Sequence, residues 1–335
     1  IEKGYSRKQC KSCKTHFWTL DPDREICADS KCVGYGFIGK PTKRLGYTET
    51  WAEIAKYFKK QGHTEIKRYP TVCRWRDDLY FTNASIIDFQ PYVVSGEIEP
   101  PANPLIVPQT SLRFGDITNV GVTGSHYTCF VMFGQHAFNS KKTGNFYWKD
   151  EALHHDFTYV TKVLGAKKEE VIFKEDVWAG GGTFGPCIEY FCNGLELGNC
   201  VFMQFKELGG GKFEELSTRV IDMGAGLERL AWFTNGNPTS YEITFGQVAE
   251  KMKKAAGIDI DKKLLLEFAK LSGSLNVDEA SNIGEQKKKI AKQLGFDEKE
   301  LFSTMRRLQA VYAIADHTKT ILYTATDGML PSNAG

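Results

Sequence analysis

Long apolar runs are missing from this 335-residue sequence. Nothing approaches the roughly 18 uninterrupted apolar residues of a membrane-spanning helix, and Ile1-Glu2-Lys3 opens no signal-peptide run, so a cytoplasmic setting is expected. An excess of charge is missing too: 43 Lys+Arg stand against 41 Asp+Glu, a net charge of +2. No global field therefore points to a nucleic acid, and local basic runs have to carry any such contact. No internal repeat or low-complexity tract occurs, which sets aside repeat architectures. Complete disulfide pairing within the chain is excluded because nine cysteines is an odd number, and their uneven clustering argues for reduced thiols with a metal site. What is present is an ordinary globular composition, 41% hydrophobic and 25% charged, in a chain too long for one minimal domain.

Residues 1 to about 40 have few aliphatics, four cysteines and several turn formers, the pattern of a small stapled head with little core of its own. A helix is predicted next, with Thr50 and Glu53 as a capping box, Trp51, Ile54, Ala55 and Phe58 on one face, and Gly62 at its end. From Thr64 to about Ile243 short β-branched and aromatic runs predict strands at Leu79–Thr82, Leu105–Phe114, Tyr127–Phe133, Cys187–Phe191 and Cys200–Phe205. Joined by turns, they imply mainly antiparallel pairing. One helix, carried by Leu153, Phe157, Val160 and Leu164 and closed by Gly165, interrupts them. Beyond about Tyr241 the chain reads as helical and lysine-rich, with Lys251, Lys253, Lys254, Lys262, Lys263 and Lys287 to Lys289 forming either a solvated face or an RNA-backbone track.

Cys10-x2-Cys13 and Cys27-x4-Cys32 are two close pairs whose thiolates can converge on one tetrahedral ion. A structural Zn²⁺ there would supply folding free energy that so small a head lacks; the alternative is free buried thiols. Cys73, Cys129, Cys187, Cys192 and Cys200 lie in apolar contexts and read as small core residues.

Two segments carry chemistry. The stretch from Ser111 through Arg113 to Gly121, followed by His126 to Met132, reads as strand, polar loop, strand, with a guanidinium suited to a phosphate at the end of the first strand. Ile221-Asp222-Met223-Gly224-Ala225-Gly226-Leu227-Glu228-Arg229-Leu230 reads as strand, glycine turn, helix, where backbone can approach a ligand closely and a helix N-terminus favours negative charge.

This pairing resembles motifs two and three of the class II aminoacyl-tRNA synthetases. Several stretches resemble, more narrowly, the archaeal type of alanyl-tRNA synthetase: Phe81-Thr82-Asn83-Ala84, Leu112-Arg113-Phe114 with Asp116 and Asn119-Val120-Gly121, Val177-Trp178-Ala179-Gly180-Gly181-Gly182, Val201-Phe202-Met203-Gln204-Phe205, Ile221-Asp222-Met223-Gly224 and Asp327-Gly328-Met329-Leu330-Pro331-Ser332-Asn333. The resemblance runs in order over essentially the whole chain. It implies an α+β fold, an antiparallel sheet flanked by helices, with a four-cysteine zinc-binding head (1–40), an adenylate-forming domain (41–245) and a helical acceptor-stem region (246–335).

The resemblance implies ATP with Mg²⁺, alanine and the alanine tRNA as substrates. Arg113 would contact the α-phosphate, Phe130 and Met132 frame the adenine, and Arg229 hold the γ-phosphate end, with Asp116, His126, Gln204 and Gly226 completing the nucleotide site. Asp222 would hold the alanine ammonium, beside Trp178, Asn199, Val201 and Gly224. By residue type alone Asp222 also suits a turn or cap and Trp178 a plain core position. Where the family commonly carries arginine and glutamate, this chain has Ser125 and Val131, which implies weaker or rearranged triphosphate and adenine contacts. Asn333 matches the family's reader of an acceptor-stem G·U pair. No His-x3-His editing motif occurs, although one methyl separates glycine from alanine by only about 1–3 kcal/mol. Editing and the rest of tRNA recognition are expected elsewhere, in a missing region or a second polypeptide. Two other expectations compete: a ligase for another small amino acid or acceptor, and a non-catalytic zinc RNA-binding module.

Overall fold

The computed structural model describes residues 4–332, and Asn333 lies outside them. The strands are β1 (Ser6–Gln9), β2 (His16–Thr19), β3 (Thr64–Glu65), β4 (Leu105–Leu112), β5 (Cys129–Asn139), β6 (Val171–Gly180), β7 (Thr183–Cys192), β8 (Leu195–Gly209) and β9 (Lys212–Gly226). They form one sheet in the order β1-β2-β6-β7-β8-β9-β5-β4-β3, antiparallel throughout except for β3 beside β4. The expected α+β class and antiparallel pairing are borne out.

The longer helices are α1 (Tyr47–Lys60), α2 (Lys149–Thr158), α3 (Leu227–Asn235), α4 (Gln247–Ala255), α5 (Lys262–Leu271), α6 (Ile283–Leu294) and α7 (Glu298–Thr326). One face of the sheet packs on α1, α2 and α3 through Ile54, Phe58, Ala152, Leu230 and Trp232, with Tyr159 just past α2, against Phe133, Tyr190, Phe202 and Ile221. The other face is partly covered by Ile86, Phe89, Val93 and Val94. The central strands stay open beyond that cover, where the cavity described below lies. The head hairpin β1–β2 continues the sheet through Trp18 opposite Phe173, and Phe17 packs with Ile172 and Phe191. It thus shares a core with the strands beside it.

Three local expectations need correction. Helix α1 begins three residues before Thr50, with Gly46 as N-cap and its N–H donating to Glu49 Oε2 at 3.1 Å. The periodic face was right, but Tyr47 also packs against the core and extends it. Leu79–Thr82 forms only the isolated bridge Val72↔Phe81. Gly224 and Gly226 belong to β9 itself, which runs straight into α3 without a turn. Strand β6 escapes the sequence pattern because Lys174, Glu175 and Asp176 interrupt its apolar residues.

Candidate active site

Alternation with period two sorts the central strands into a core side and an open side. On β9, Ile221, Met223 and Ala225 enter the helix-side core, while Asp222 and Gly224 face the other way. On β8, Cys200 and Phe202 enter it and Asn199 and Val201 face out; on β5, Val131 and Phe133 enter and Phe130 and Met132 face out. The outward residues floor a cavity of ≈ 470 Å³. Arg113, Asp116, His126, Phe130, Met132, Trp178, Asn199, Val201, Asp222, Gly224, Gly226 and Arg229 all line it. Gln204 is absent from that lining; it sits at the β8 bulge between Met203 and Phe205, which breaks the alternation.

One end of the cavity is built around Asp222. Trp178 reaches it from the tip of the β6–β7 hairpin, closed by Gly181 and Gly182 at φ +59° and +75°, the two-residue turn that matches strand twist. A Cβ on Gly180 would lie 2.6 Å from Trp178 Cζ2, so the bare backbone leaves room for the indole. Asn199 Oδ1 is buried without a hydrogen bond. The Asp222 carboxyl, which lines the cavity with them, is raised to about 7 by burial alone. Its neighbour across the strand is His136 at 3.5 Å, whose own burial pushes it down to about 3 and leaves it neutral. Among the described residues no lysine or arginine pairs with Asp222, so a cation there would have to come from a ligand.

At the other end two guanidinium groups converge. Arg113 Nε donates to the Asn83 carbonyl at 3.0 Å, and its guanidinium lies over the Phe130 ring at 5.1 Å. Arg229 is held by Glu196 at 2.9 Å and by the Ser125 carbonyl at 3.4 Å. Burial opposes its charge, yet Glu196 keeps Arg229 above the usual range. Burial first, and then the two arginine charges, push His126 down to about 3, so it acts as a neutral ring bound to Thr123 Oγ1 at 2.6 Å. Of the two departures from the family pattern, Val131 points into the core and Ser125 lines the cavity, with its hydroxyl 3.0 Å from that of Tyr35.

Sequence reasoning missed Glu189, Glu196, Asn276, Asp278 and Glu279, which complete the wall. Burial and the nearby Glu196 raise Glu189 to about 7, against the pull of Lys174. Asn119 ties the loop at 276–278 to the site: its amide donates to Asn276 Oδ1 at 3.0 Å and Asp278 Oδ2 at 2.8 Å, and it accepts from Val277 N–H at 2.9 Å. His136 was the findable omission, since it continues the outward alternation of Phe130 and Met132.

Helix α7 reaches back to the strand that carries Phe130 and Met132. Asp316, fully buried, accepts the N–H groups of Thr128 at 3.1 Å and Cys129 at 3.4 Å. Glu228, also buried, accepts Val131 N–H at 3.1 Å and Tyr47 Oη–H at 2.9 Å and pairs with Lys319 at 3.0 Å. At the end of α7, Asp327 takes a bidentate grip from Arg68 at 2.8 and 2.9 Å and accepts Thr71 N–H at 2.6 Å.

Away from the cavity, the Sγ atoms of Cys10, Cys13, Cys27 and Cys32 lie within 4.8 Å of one another. Cys10 and Cys32 are 4.0 Å apart and Cys13 and Cys27 3.7 Å. Zn–S bonds of about 2.3 Å in a tetrahedron require S···S near 3.8 Å, so the four thiols fit one ion. All nine cysteines are free, and Cys73, Cys129, Cys187, Cys192 and Cys200 are buried as expected. No helix is long and apolar enough to cross a membrane among the described residues.

Known proteins show the same pattern. The family described as tRNA synthetases class II (A) matches residues 52–335. The alanine–tRNA ligase of Methanocella arvoryzae is 48% identical over 335 residues, covering 99% of this chain and 38% of the relative. That of Nitrosopumilus maritimus is 47% identical over 338 residues, covering 100% and 37%; that of Pyrococcus abyssi is 44% identical over 350 residues, covering 99% and 38%. The chain spans less than two-fifths of the length of these curated relatives. With a family match over residues 52–335, most of its length, the chain belongs to the class II (A) tRNA synthetases.

Proposed function

We propose that this chain activates alanine with ATP, forming alanyl-adenylate and pyrophosphate, and transfers the alanyl group to the 3′ end of the alanine tRNA. The observation that carries it is a buried carboxylate, Asp222, that pairs with no cation among the described residues and shares one cavity with Arg113 and Arg229. Asp222 binds the ammonium, Trp178 and Asn199 flank it, and Val201 abuts the methyl. The alanine carboxylate then points toward Arg113, attacks the α-phosphorus and expels pyrophosphate; no protein nucleophile is needed. Arg113 and Arg229 neutralise the charge that repels attack and grows on the leaving group. Phe130 and Met132 frame the adenine, while Asp116, His126 and Gly226 complete the nucleotide site and Gly224 the amino-acid floor; Gln204, outside the cavity lining, takes no part in this reading. Mg²⁺ enters with the nucleotide.

The four-cysteine head holds a structural Zn²⁺, which with all four positions filled by thiolates has no catalytic opening. The lysine-rich helices α4 to α6 form the RNA side, and Asn333 reads the acceptor stem. The test is alanine-dependent ATP–pyrophosphate exchange by folded, zinc-replete protein, run beside glycine, serine and other amino acids. No exchange with alanine defeats the proposal, and stronger exchange with another small amino acid reassigns the substrate.

A further inference from the structure

In the β5–β9 pair His136 stands directly opposite Asp222 in register. Both project to the cavity face, and His136 Nδ1 lies 3.5 Å from Asp222 Oδ1. That nitrogen is buried and has no hydrogen bond. The other ring nitrogen, Nε2, is 3.1 Å from Ser85 Oγ. The ring cannot swing away, because Phe89 meets it edge-on at 5.0 Å and Phe138 stacks on it at 6.3 Å. A neutral imidazole carries one N–H. An ionised carboxylate can only accept, whereas a serine hydroxyl can donate, so one tautomer satisfies both neighbours: hydrogen on Nδ1, acceptance from Ser85 at Nε2.

We propose that His136 is a positioning residue for the amino-acid substrate, its Nδ1–H donating to Asp222 Oδ1 when the ammonium binds, with the Ser85 hydroxyl setting the tautomer. A gap of 3.5 Å exceeds a formed N–H···O bond of about 2.9 Å, so the contact shortens when the ammonium draws the carboxylate into its ionised form. One carboxylate oxygen is then oriented by the protein and the other is free for the substrate. Without this donor the carboxylate would face the ammonium with its second oxygen unsatisfied in a buried site, which is costly. The inference rests on Asp222 being the ammonium acceptor proposed above.

The experiment is alanine-dependent ATP–pyrophosphate exchange by the full chain, with alanine and ATP KM measured separately. Four variants are compared. His136→Phe keeps the ring volume and removes both nitrogens; it is expected to raise alanine KM about 10-fold or more with ATP KM unchanged. His136→Asn retains an amide N–H close to the position of Nδ1 and is expected to stay within about 3-fold of the parent protein. Ser85→Ala, which frees the tautomer, is expected to raise alanine KM about 3-fold and serves if His136→Phe fails to fold. Asp222→Asn reports on the ammonium site itself. If Asp222→Asn raises alanine KM while His136→Phe and Ser85→Ala leave it unchanged, the role of His136 is overturned and the ammonium site stands. If Asp222→Asn leaves alanine KM unchanged, the ammonium site is wrong and His136 loses its role with it. Equal impairment by His136→Phe and His136→Asn, or parallel rises in alanine and ATP KM, would mean ring packing alone and overturn the proposal.

Discussion

Replacing Asp222 by asparagine should make the free protein more stable while disabling it. Burial raises the Asp222 carboxyl to about 7 in the fold, against about 3.9 in an unfolded chain. An acid whose folded pKa is raised binds its proton more tightly in the native state, so its contribution to stability falls as pH rises through the window from about 4 to about 7. The difference of about three units, at 1.36 kcal/mol each, amounts to about 4 kcal/mol by pH 8. That is an upper bound, because the residue keeps 7% of its surface accessible. Asparagine never ionises and escapes the penalty. Without alanine, Asp222→Asn should melt several degrees above the parent protein at pH 8, at roughly 2 °C per kcal/mol for a chain of this size. The gain should shrink to about half by pH 5.5 and vanish below about pH 4. Alanine KM in pyrophosphate exchange should meanwhile rise on the order of 10²-fold, the worth of a charge-assisted hydrogen bond lost in a dry site. Thermal unfolding of both proteins across this pH range is the assay. A variant that melts below the parent at pH 8, or a gain that does not change with pH, would refute the reasoning.

Arg113→Ala should lower pyrophosphate exchange by about 10²-fold or more without a large change in melting temperature, since among the described residues the guanidinium hydrogen-bonds the Asn83 carbonyl, lies over the Phe130 face and feels the Asp116 charge; unchanged exchange would remove Arg113 from the nucleotide site. Cys32→Ser should reduce bound zinc, measured by elemental analysis after dialysis against Zn²⁺, and loosen the head hairpin; a metal-free parent protein with an intact fold would contradict the zinc assignment. Asp316→Ala should destabilise by about 2–4 kcal/mol in thermal or urea unfolding, because it strips an acceptor from the buried N–H groups of Thr128 and Cys129. A loss under about 0.5 kcal/mol would show that those donors find another partner.

The alternation Ile221-Asp222-Met223-Gly224 and its counterpart on β8 were visible in the chain because a half-buried strand repeats every two residues, whatever its neighbours. The glycines at 180–182 were equally visible, since few other residues close so tight a hairpin. The capping residue of α1 was misplaced because Thr50 and Glu53 satisfy the same local rule one turn late. Strand β6 was hidden because the charged run Lys174, Glu175 and Asp176 breaks its apolar pattern where the strand passes from buried to exposed. The wall formed by Glu189, Glu196 and the loop at 276–279 could not be foreseen: it depends on the side chain of Asn119 reaching far along the sequence, and no local period records that contact.

Helix α7 is bolted to the start of β5 through two buried carboxylates, Asp316 and Glu228. Excising the polypeptide from Glu298 onward would expose the amides of Thr128 and Cys129 and leave Glu228 without the counter-charge of Lys319. An orphaned buried charge of that kind costs several kcal/mol, a large part of what holds any domain folded. A shortened version consisting of the sheet and its covering helices alone would therefore be a poor candidate for a minimal enzyme, however complete its list of motifs.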